Sequence, residues 1–301
     1  MLYIIKTALQ LGCVYSFVAL ALFISYRILN IADLTTDGSF VLGMAVSVSV
    51  TAMNHPILGV LLGMFAGSLA GLVTAMLQTK LGVPSILAGI ISNTGLYTIN
   101  LMVMGFSSNL SLLKSNTIFT LFKQTGIGGA YNAIILVSII TILMMLLIKW
   151  FLSTKLGLSI RATGDNEKMT AASSINPNFT ILIGLMISNA LTGLSGALVG
   201  QLQKSADINA GTGIVTIGLA TLIIGEALIQ GRKSISRNIL ACLIGNIVYR
   251  LIYAFILQTH IIPIECLKLM TAFVVTIAIA IPYIKSDIEL KNKIRRKSCW
   301  K

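Results

Sequence analysis

The chain has 301 residues, of which 56% are hydrophobic and only 10% are charged. A soluble protein of this length would carry about 25% charged residues, so this composition excludes a soluble globular domain. The net charge of +13 is ascribed to membrane topology and attraction to lipid headgroups, and no nucleic-acid partner is expected because no soluble domain is present to hold a duplex.

Apolar runs of about 20 residues recur along the chain, and each is long enough to cross a bilayer as a helix. They do not alternate polar with apolar residues, which disfavours a barrel. The sequence predicts an all-α, polytopic helical bundle of about nine spans (eight to ten) within residues 1–284. The nine runs lie at roughly 5–26, 36–53, 56–78, 84–104, 132–151, 177–201, 209–230, 235–258 and 265–284.

Most of the 22 basic residues lie in alternate loops, which predicts the orientation because Lys and Arg favour the cytoplasmic side. The loop 149–176, the loop 231–237 and the basic tail 285–301 fall on one side of a nine-span chain. The N-terminus is therefore predicted outside and the C-terminus in the cytoplasm. Loop 105–131 would then face outward, as a short interfacial helix or as an ordinary linker.

Several residue patterns inside the predicted spans suggest roles. Glycines recur every four residues on one face of the third span, a spacing that favours close helix packing within one subunit or, as the alternative, between subunits. Glu226 is expected to snorkel or to pair with the nearby Arg232 and Lys233. The four cysteines are isolated, so neither a metal site nor a disulfide framework is predicted. The glycine ladder is Gly59, Gly63, Gly67 and Gly71.

The sequence contains none of the common catalytic motifs. It has no G-x-x-x-x-G-K-[ST] phosphate loop, no H-E-x-x-H and no G-x-S-x-G. The chain is therefore interpreted as a transporter component without catalytic residues, not as an enzyme.

The stretch NIADLTTDGSF, residues 30–40, places two acids in a polar turn between apolar runs. Asp33, Thr35 or Thr36 can cap the second span, because Asp and Thr accept N–H bonds at helix starts. Alternatively, the turn is a broken helix that lines a pathway, with Gly38 allowing the bend. The two interpretations are compatible.

The predicted cytoplasmic loop, about residues 152–176, overlaps the stretch KLGLSIRATGDNEKMTAASSINPNF, residues 155–179. Gly157 can open a turn, and Asp165 or Asn166 can cap a short helix over 167–174. Such a helix between two spans could be a lever for a partner, or the loop could be a solvated connector.

Two blocks of the sequence resemble ABC importer permeases. These are IRATGDNEKMTAASSIN followed by LTGLSGALVGQ, and GCVYSFVALALFISYRILNIADLTTDGSFVLGMAVS. The chain is similar to the branched-chain amino acid and ribose (simple sugar) permease superfamily. LTTDGSF most closely resembles its tryptophan/tyrosine (uncharacterised) ABC permease branch. Where sugar members show a Gly-Gly-rich turn, this chain has Gly225-Glu226 and Gly231-Arg232.

The resemblance implies a dimeric permease in the cytoplasmic membrane of a prokaryote, and a homodimer is expected because the single chain carries its own glycine ladder. Separate ABC ATPase subunits would bind ATP, so no cofactor is expected on this chain, and an external binding (lipo)protein would deliver a small solute. An amino acid, possibly aromatic, is the best candidate; a self-sufficient secondary transporter or channel is the alternative. Expected coupling residues are Gly157, Arg161, Gly164, Asp165, Asn166, Glu167 and Ala171; expected pathway residues are Asp33, Thr35, Thr36, Asp37, Ser39 and Asn93.

Overall fold

The computed structural model describes residues 2–258, except 114, 125, 127–128 and 230–233, together with positions 272, 273, 276 and 280. Most of these residues are helical. The elements in chain order are α1 (Leu2–Leu22, continued by a π-helical segment, Phe23–Ile28), α2 (Thr36–Ala52), α3 (Pro56–Thr79), α4 (Ser85–Val103), β1 (Asn109–Ser111), α5 (Ile118–Gln124), α6 (Asn132–Ser153), α7 (Lys155–Asp165), α8 (Glu167–Ala172), α9 (Pro177–Gln203), β2 (Ser205–Asp207), α10 (Ile214–Ile229) and α11 (Ile235–Gln258).

Within the described residues, seven helices are long and apolar enough to cross a membrane. They belong to α1, α3, α4, α6, α9, α10 and α11, so the prediction of a helical membrane bundle is confirmed. The ninth predicted span and the basic tail lie outside the described residues. The count of nine spans and the orientation of the termini remain predictions.

Helix α2 differs from the other predicted spans because it is short and almost wholly enclosed by protein. Its 17 residues extend about 25 Å, less than the roughly 30 Å of a bilayer's hydrocarbon core. Helices α3, α4 and α9 surround it, and Phe40, Met44 and Val48 are buried in the main core. A helix shielded in this way does not have to span the lipid, so α2 forms the centre of the bundle.

The glycine ladder of α3 faces α2 and α9 of the same chain. A Cβ on Gly63 would stand 2.7 Å from the Gly43 carbonyl oxygen, and one on Gly67 would overlap the Asn189 carbonyl oxygen. Gly59 makes a similarly close contact with α2, and Gly71 with α9. The opposite face of α3 exposes large apolar side chains, such as Phe65. The ladder therefore packs helices within one subunit, which was the first of the two interpretations.

Residues 105–131 form neither a single helix nor a plain linker. Strand β1 pairs antiparallel with β2, and Leu110 lies opposite Ala206. The backbone N–H of Ile118, at the start of α5, donates to Gln201 Oε1 at 2.9 Å. The Nε2 of Gln201 donates to the Pro56 carbonyl oxygen at 2.8 Å. One buried glutamine of α9 therefore ties α5 and the start of α3 to the end of α9.

Candidate functional site

Asp33 lies in the segment between α1 and α2, and its carboxylate is almost completely buried. Its Oδ1 accepts a hydrogen bond from the Thr35 backbone N–H at 2.9 Å. Its Oδ2 accepts one from Asn189 Nδ2 of α9 at 2.6 Å, and Asn189 Oδ1 accepts from Ser39 Oγ at 2.7 Å. Burial raises the pKa of the Asp33 carboxyl, and the hydrogen bonds from Thr35 and Asn189 oppose that rise.

The threonines of the turn complete this polar network. Thr35 Oγ1 lies 2.7 Å from Thr74 Oγ1 of α3, and Thr36 Oγ1 donates to the Asp33 carbonyl oxygen at 3.1 Å. Neither side chain caps α2, although Thr35 occupies the N-cap position. The turn is therefore held mainly by contacts to α3 and α9. Asp33 organises the start of α2 through the Thr35 N–H, which is the helix-start role that was expected of it.

Asp37 lies in the first turn of α2, but its carboxylate accepts hydrogen bonds from backbone N–H groups at the start of α10. Its Oδ1 accepts from the Val215 backbone N–H at 2.9 Å, and its Oδ2 accepts from the Gly213 N–H at 3.2 Å. An acid at a helix N-terminus satisfies free N–H groups and interacts favourably with the helix dipole. Asp37 thus fixes the start of α10 against α2.

A polar cavity of about 460 Å³ opens beside Asp37, between α2, α4 and the segment before α10. Asn93 and Asn100 of α4 line it, and Thr94 and Tyr97 present their exposed side chains to it. Asn100 Nδ2 donates to the Gly38 carbonyl oxygen at 3.2 Å. Of the expected pathway residues, Asp37 and Asn93 line this cavity. The other four belong instead to the buried network around Asp33 and Asn189: Asp33, Thr35, Thr36 and Ser39.

Gly38 does not bend the chain, contrary to the expectation from the sequence. It lies in the first turn of α2, and its backbone has no positive φ. A Cβ there would stand 2.5 Å from Asn93 Oδ1 and 3.0 Å from the Leu96 Cβ. Gly38 is therefore needed for the close approach of α2 and α4.

The loop expected to couple to an ATPase contains two helices, α7 and α8, where one was predicted. Asn166 separates them, and its side chain accepts from the Met169 N–H at 3.0 Å, which is the predicted cap of the second helix. That helix ends at Ala172, two residues earlier than expected. Four of the expected coupling residues have exposed side chains: Asp165, Asn166, Glu167 and Ala171.

The two glycines of α7 are contact positions within a helix, so the turn expected at Gly157 is wrong. Thr154 caps α7 by accepting from the Gly157 N–H at 3.3 Å, and Gly157 packs against Leu152 of α6. A Cβ on Gly164 would overlap the Ile28 carbonyl oxygen of the π-helical segment. Helix α7 was not predicted from the sequence, because its two glycines have a low helix propensity.

Glu226 pairs with Arg27, a residue that the sequence analysis did not single out as a partner. Arg27 Nε lies 3.0 Å from Glu226 Oε1. The expected partners, Arg232 and Lys233, lie outside the described residues. No signal in the sequence connects two residues that are 199 positions apart, since only the packing of α1 against α10 brings them together.

The sequence matches, over residues 4–280, the family model described as "Branched-chain amino acid transport system / permease component". The chain belongs to this family. It is therefore a permease subunit of an ABC importer and a multi-pass membrane protein of a prokaryote. As a member of this family, the chain is a transport component and not itself an enzyme. The family match confirms the resemblance and the prediction of a transporter component.

Two relatives cover almost all of this permease. A "Tyrosine transport system permease protein" of Clostridioides difficile (strain R20291) is 32% identical over 290 residues, 94% of this chain and 95% of that protein. An uncharacterized protein of Rickettsia prowazekii (strain Madrid E) is 31% identical over 92% of this chain and 97% of its own length. The ribose import permease protein of Escherichia coli (strain K12) is 27% identical over 72% of this chain and 66% of its own length. No solved structure matches.

Proposed function

We propose that this permease forms the translocation pathway for an amino acid, with an aromatic amino acid as the best candidate. The observation that carries the proposal is the polar cavity beside Asp37, in a chain that is similar along nearly its whole length to a tyrosine transport permease. An external binding protein delivers the solute, and separate ATPase subunits supply the energy.

The chemistry of the cavity supports a polar solute. Its walls carry a carboxylate, asparagine amides and the hydroxyls of threonines and a tyrosine, and no Lys or Arg is among the residues that line it. The ammonium group of an amino acid is a donor, and these oxygens accept hydrogen bonds. Polar side chains of this kind are costly against lipid and mark solute pathways in membrane proteins.

The second half of the pathway is proposed to come from another copy of the chain. Thr94, Tyr97 and Thr98 are exposed on α4 in the single subunit, in a helix otherwise suited to lipid. A homodimer that meets at this face would remove them from the lipid and close the cavity. We expect Thr98→Cys, in a background without native cysteines, to form an intersubunit disulfide under oxidation, whereas the lipid-facing Leu143→Cys of α6 should not.

ATP-driven import of tyrosine tests the whole proposal. The permease is reconstituted in liposomes with the proposed partner ATPase and binding protein, and uptake of radiolabelled tyrosine is measured with ATP enclosed. We expect uptake that requires both ATP and the binding protein. Asn93→Leu should reduce uptake without changing tyrosine binding by the binding protein, and Leu143→Ala is the control. Uptake by the permease alone, driven by an ion gradient, would overturn the proposal.

A further inference from the structure

The end of α1 has an unusual backbone where it meets the coupling loop. Residues 23–28 form a π-helical segment, in which the Leu29 N–H donates to the Ile24 carbonyl oxygen at 3.0 Å. The Ile31 N–H then reaches back to the Ser25 carbonyl oxygen at 2.9 Å. Segments of this kind are rare and occur frequently at functional sites. Arg27 projects from this one.

The ion pair between Arg27 and Glu226 joins this segment to α10. Their side chains are 41% and 20% exposed, so the pair is partly open to solvent. A pair in such a setting contributes only about 0–1 kcal/mol to stability. It is the one ion pair among the described residues. The role of the pair is therefore to be sought in the two helices that it joins and not in its contribution to stability.

The same charged residues line a cavity of about 330 Å³ that also includes α7. Arg161 and Asp165, one turn apart on α7, line it together with Arg27 and Glu226. Within the described part of the chain, Asp165 forms no ion pair, although two arginines, Arg27 and Arg161, line the same cavity. Gly164, the residue before it, has its backbone against the Ile28 carbonyl. A displacement of α7 towards the π-helical segment would therefore press on Ile28, and any displacement of α7 would change the surroundings of Arg27.

We infer that Arg27 exchanges its carboxylate partner during transport, from Glu226 of α10 to Asp165 of α7. A guanidinium with five N–H donors can pair with either acid. The two pairings are discrete arrangements, as a switching element requires. Arg27 and Glu226 are thus positioning residues, through which the position of α10 depends on the position of α7. The inference rests on the proposed import function, because an ATPase has to move α7.

Charge-swap variants distinguish an ion pair that exchanges partners during transport from one that stays fixed. The measurement is tyrosine imported per ATP hydrolysed by the reconstituted complex. Arg27→Glu and Glu226→Arg should each lower this ratio at least about fivefold, the lower end of usual coupling energies. The double variant Arg27→Glu/Glu226→Arg restores the resting pair but places a carboxylate at position 27 opposite Asp165, so the ratio should stay low. Adding Asp165→Lys should restore it, and Lys149→Gln, which lies away from the cavity, is the control.

Two results would overturn the inference. Full recovery in the double variant would show a fixed pair, and no recovery in a folded triple variant would show that Asp165 is not the second partner. A milder series covers the case in which the triple variant fails to fold. There, Asp165→Asn should lower the ratio in the wild-type background and have no further effect beside Arg27→Gln. Failure of the proposed function is distinct, because the wild-type complex itself would then show no ATP-dependent tyrosine uptake.

Discussion

The carboxylate of Asp37 on α2 accepts a hydrogen bond from the backbone N–H of Val215, 178 residues later, at 2.9 Å. One acid in the first turn of α2 thereby holds the start of α10 beside the polar cavity. The same side chain lines the cavity. Asp37 therefore has a structural role, which unfolding measurements test, and a proposed transport role, which uptake measurements test.

Replacing Asp37 with alanine should destabilise the protein. The change leaves the Gly213 and Val215 N–H groups without their acceptor, at a cost of about 1–3 kcal/mol. Asp37→Asn retains one oxygen acceptor, so its loss should be smaller. Thermal unfolding of the detergent-purified permease measures the difference, and Thr216→Ala, in the first turn of α10, is the control. If Asp37→Ala melts like the wild type, the hydrogen bonds do not hold α10.

Asp33 and Asn189 should behave as one energetic unit. Asp33→Ala leaves one N–H of the buried Asn189 amide without its acceptor, at about 1–3 kcal/mol, although the same nitrogen still donates to the Leu185 carbonyl oxygen. Asn189→Ala leaves a buried carboxylate with one fewer donor, at a similar or higher cost. The double variant Asp33→Ala/Asn189→Ala should cost less than the sum of the two single variants. A double-mutant cycle on unfolding free energies checks this. Additive costs would mean that the 2.6 Å hydrogen bond contributes nothing of its own.

The predicted pathway role of Asp33 and Asp37 has its own measurement. Tyrosine uptake by Asp33→Asn and Asp37→Asn should fall further than their loss of folded protein explains, because Asp37 lines the cavity and Asp33 organises the start of the same helix, α2. Uptake per folded complex is the quantity to compare. Normal uptake by both Asp33→Ala and Asp37→Ala would leave only their helix-start roles.

A methyl group should be tolerated at one glycine and not at another. Gly67→Ala places a Cβ onto the Asn189 carbonyl oxygen, and overpacking of this kind costs about 1–3 kcal/mol. Gly95→Ala on α4 is the matched control, because no atom lies within 4 Å of its Cβ and alanine favours a helix over glycine. The amount of folded permease in membranes and its melting temperature test the pair. Equal losses would refute the close α3–α9 packing.

Glu167, an exposed residue that is predicted to couple to the ATPase, should affect transport but not folding. Surface substitutions usually change stability by less than about 0.5 kcal/mol, so Glu167→Ala should remain folded in the membrane. We expect it to lose both tyrosine uptake and substrate-stimulated ATP hydrolysis. Ser153→Ala, at the nearby end of α6, is the control. Unchanged stimulation in the Glu167 variant would refute its assignment to the coupling face.

Local patterns in the sequence correctly indicated the features that depend on neighbouring residues. Composition and apolar run length predicted the membrane helices, since a backbone in lipid must form a helix or a closed barrel and these runs lack the alternation of barrel strands. Pro56, Pro84 and Pro177 lie at the starts of helices, where a missing N–H is tolerated. Asn166 was among the predicted caps of α8, because capping involves only a few successive residues. Two motif blocks were enough to indicate the permease family.

The partners of polar residues were decided by the tertiary structure. The sequence shows Asp33, Asp37 and Glu226 but not that they meet Asn189, Val215 and Arg27, because these contacts join residues that are distant in the chain. A polar Asn189 within the glycine-rich run of α9 was the available signal for one of them. The sequence by itself determined a helical membrane permease, and it predicts a cytoplasmic coupling loop. Only the packing of α2 between α3, α4 and α9 decided which polar groups are buried together and which line a cavity.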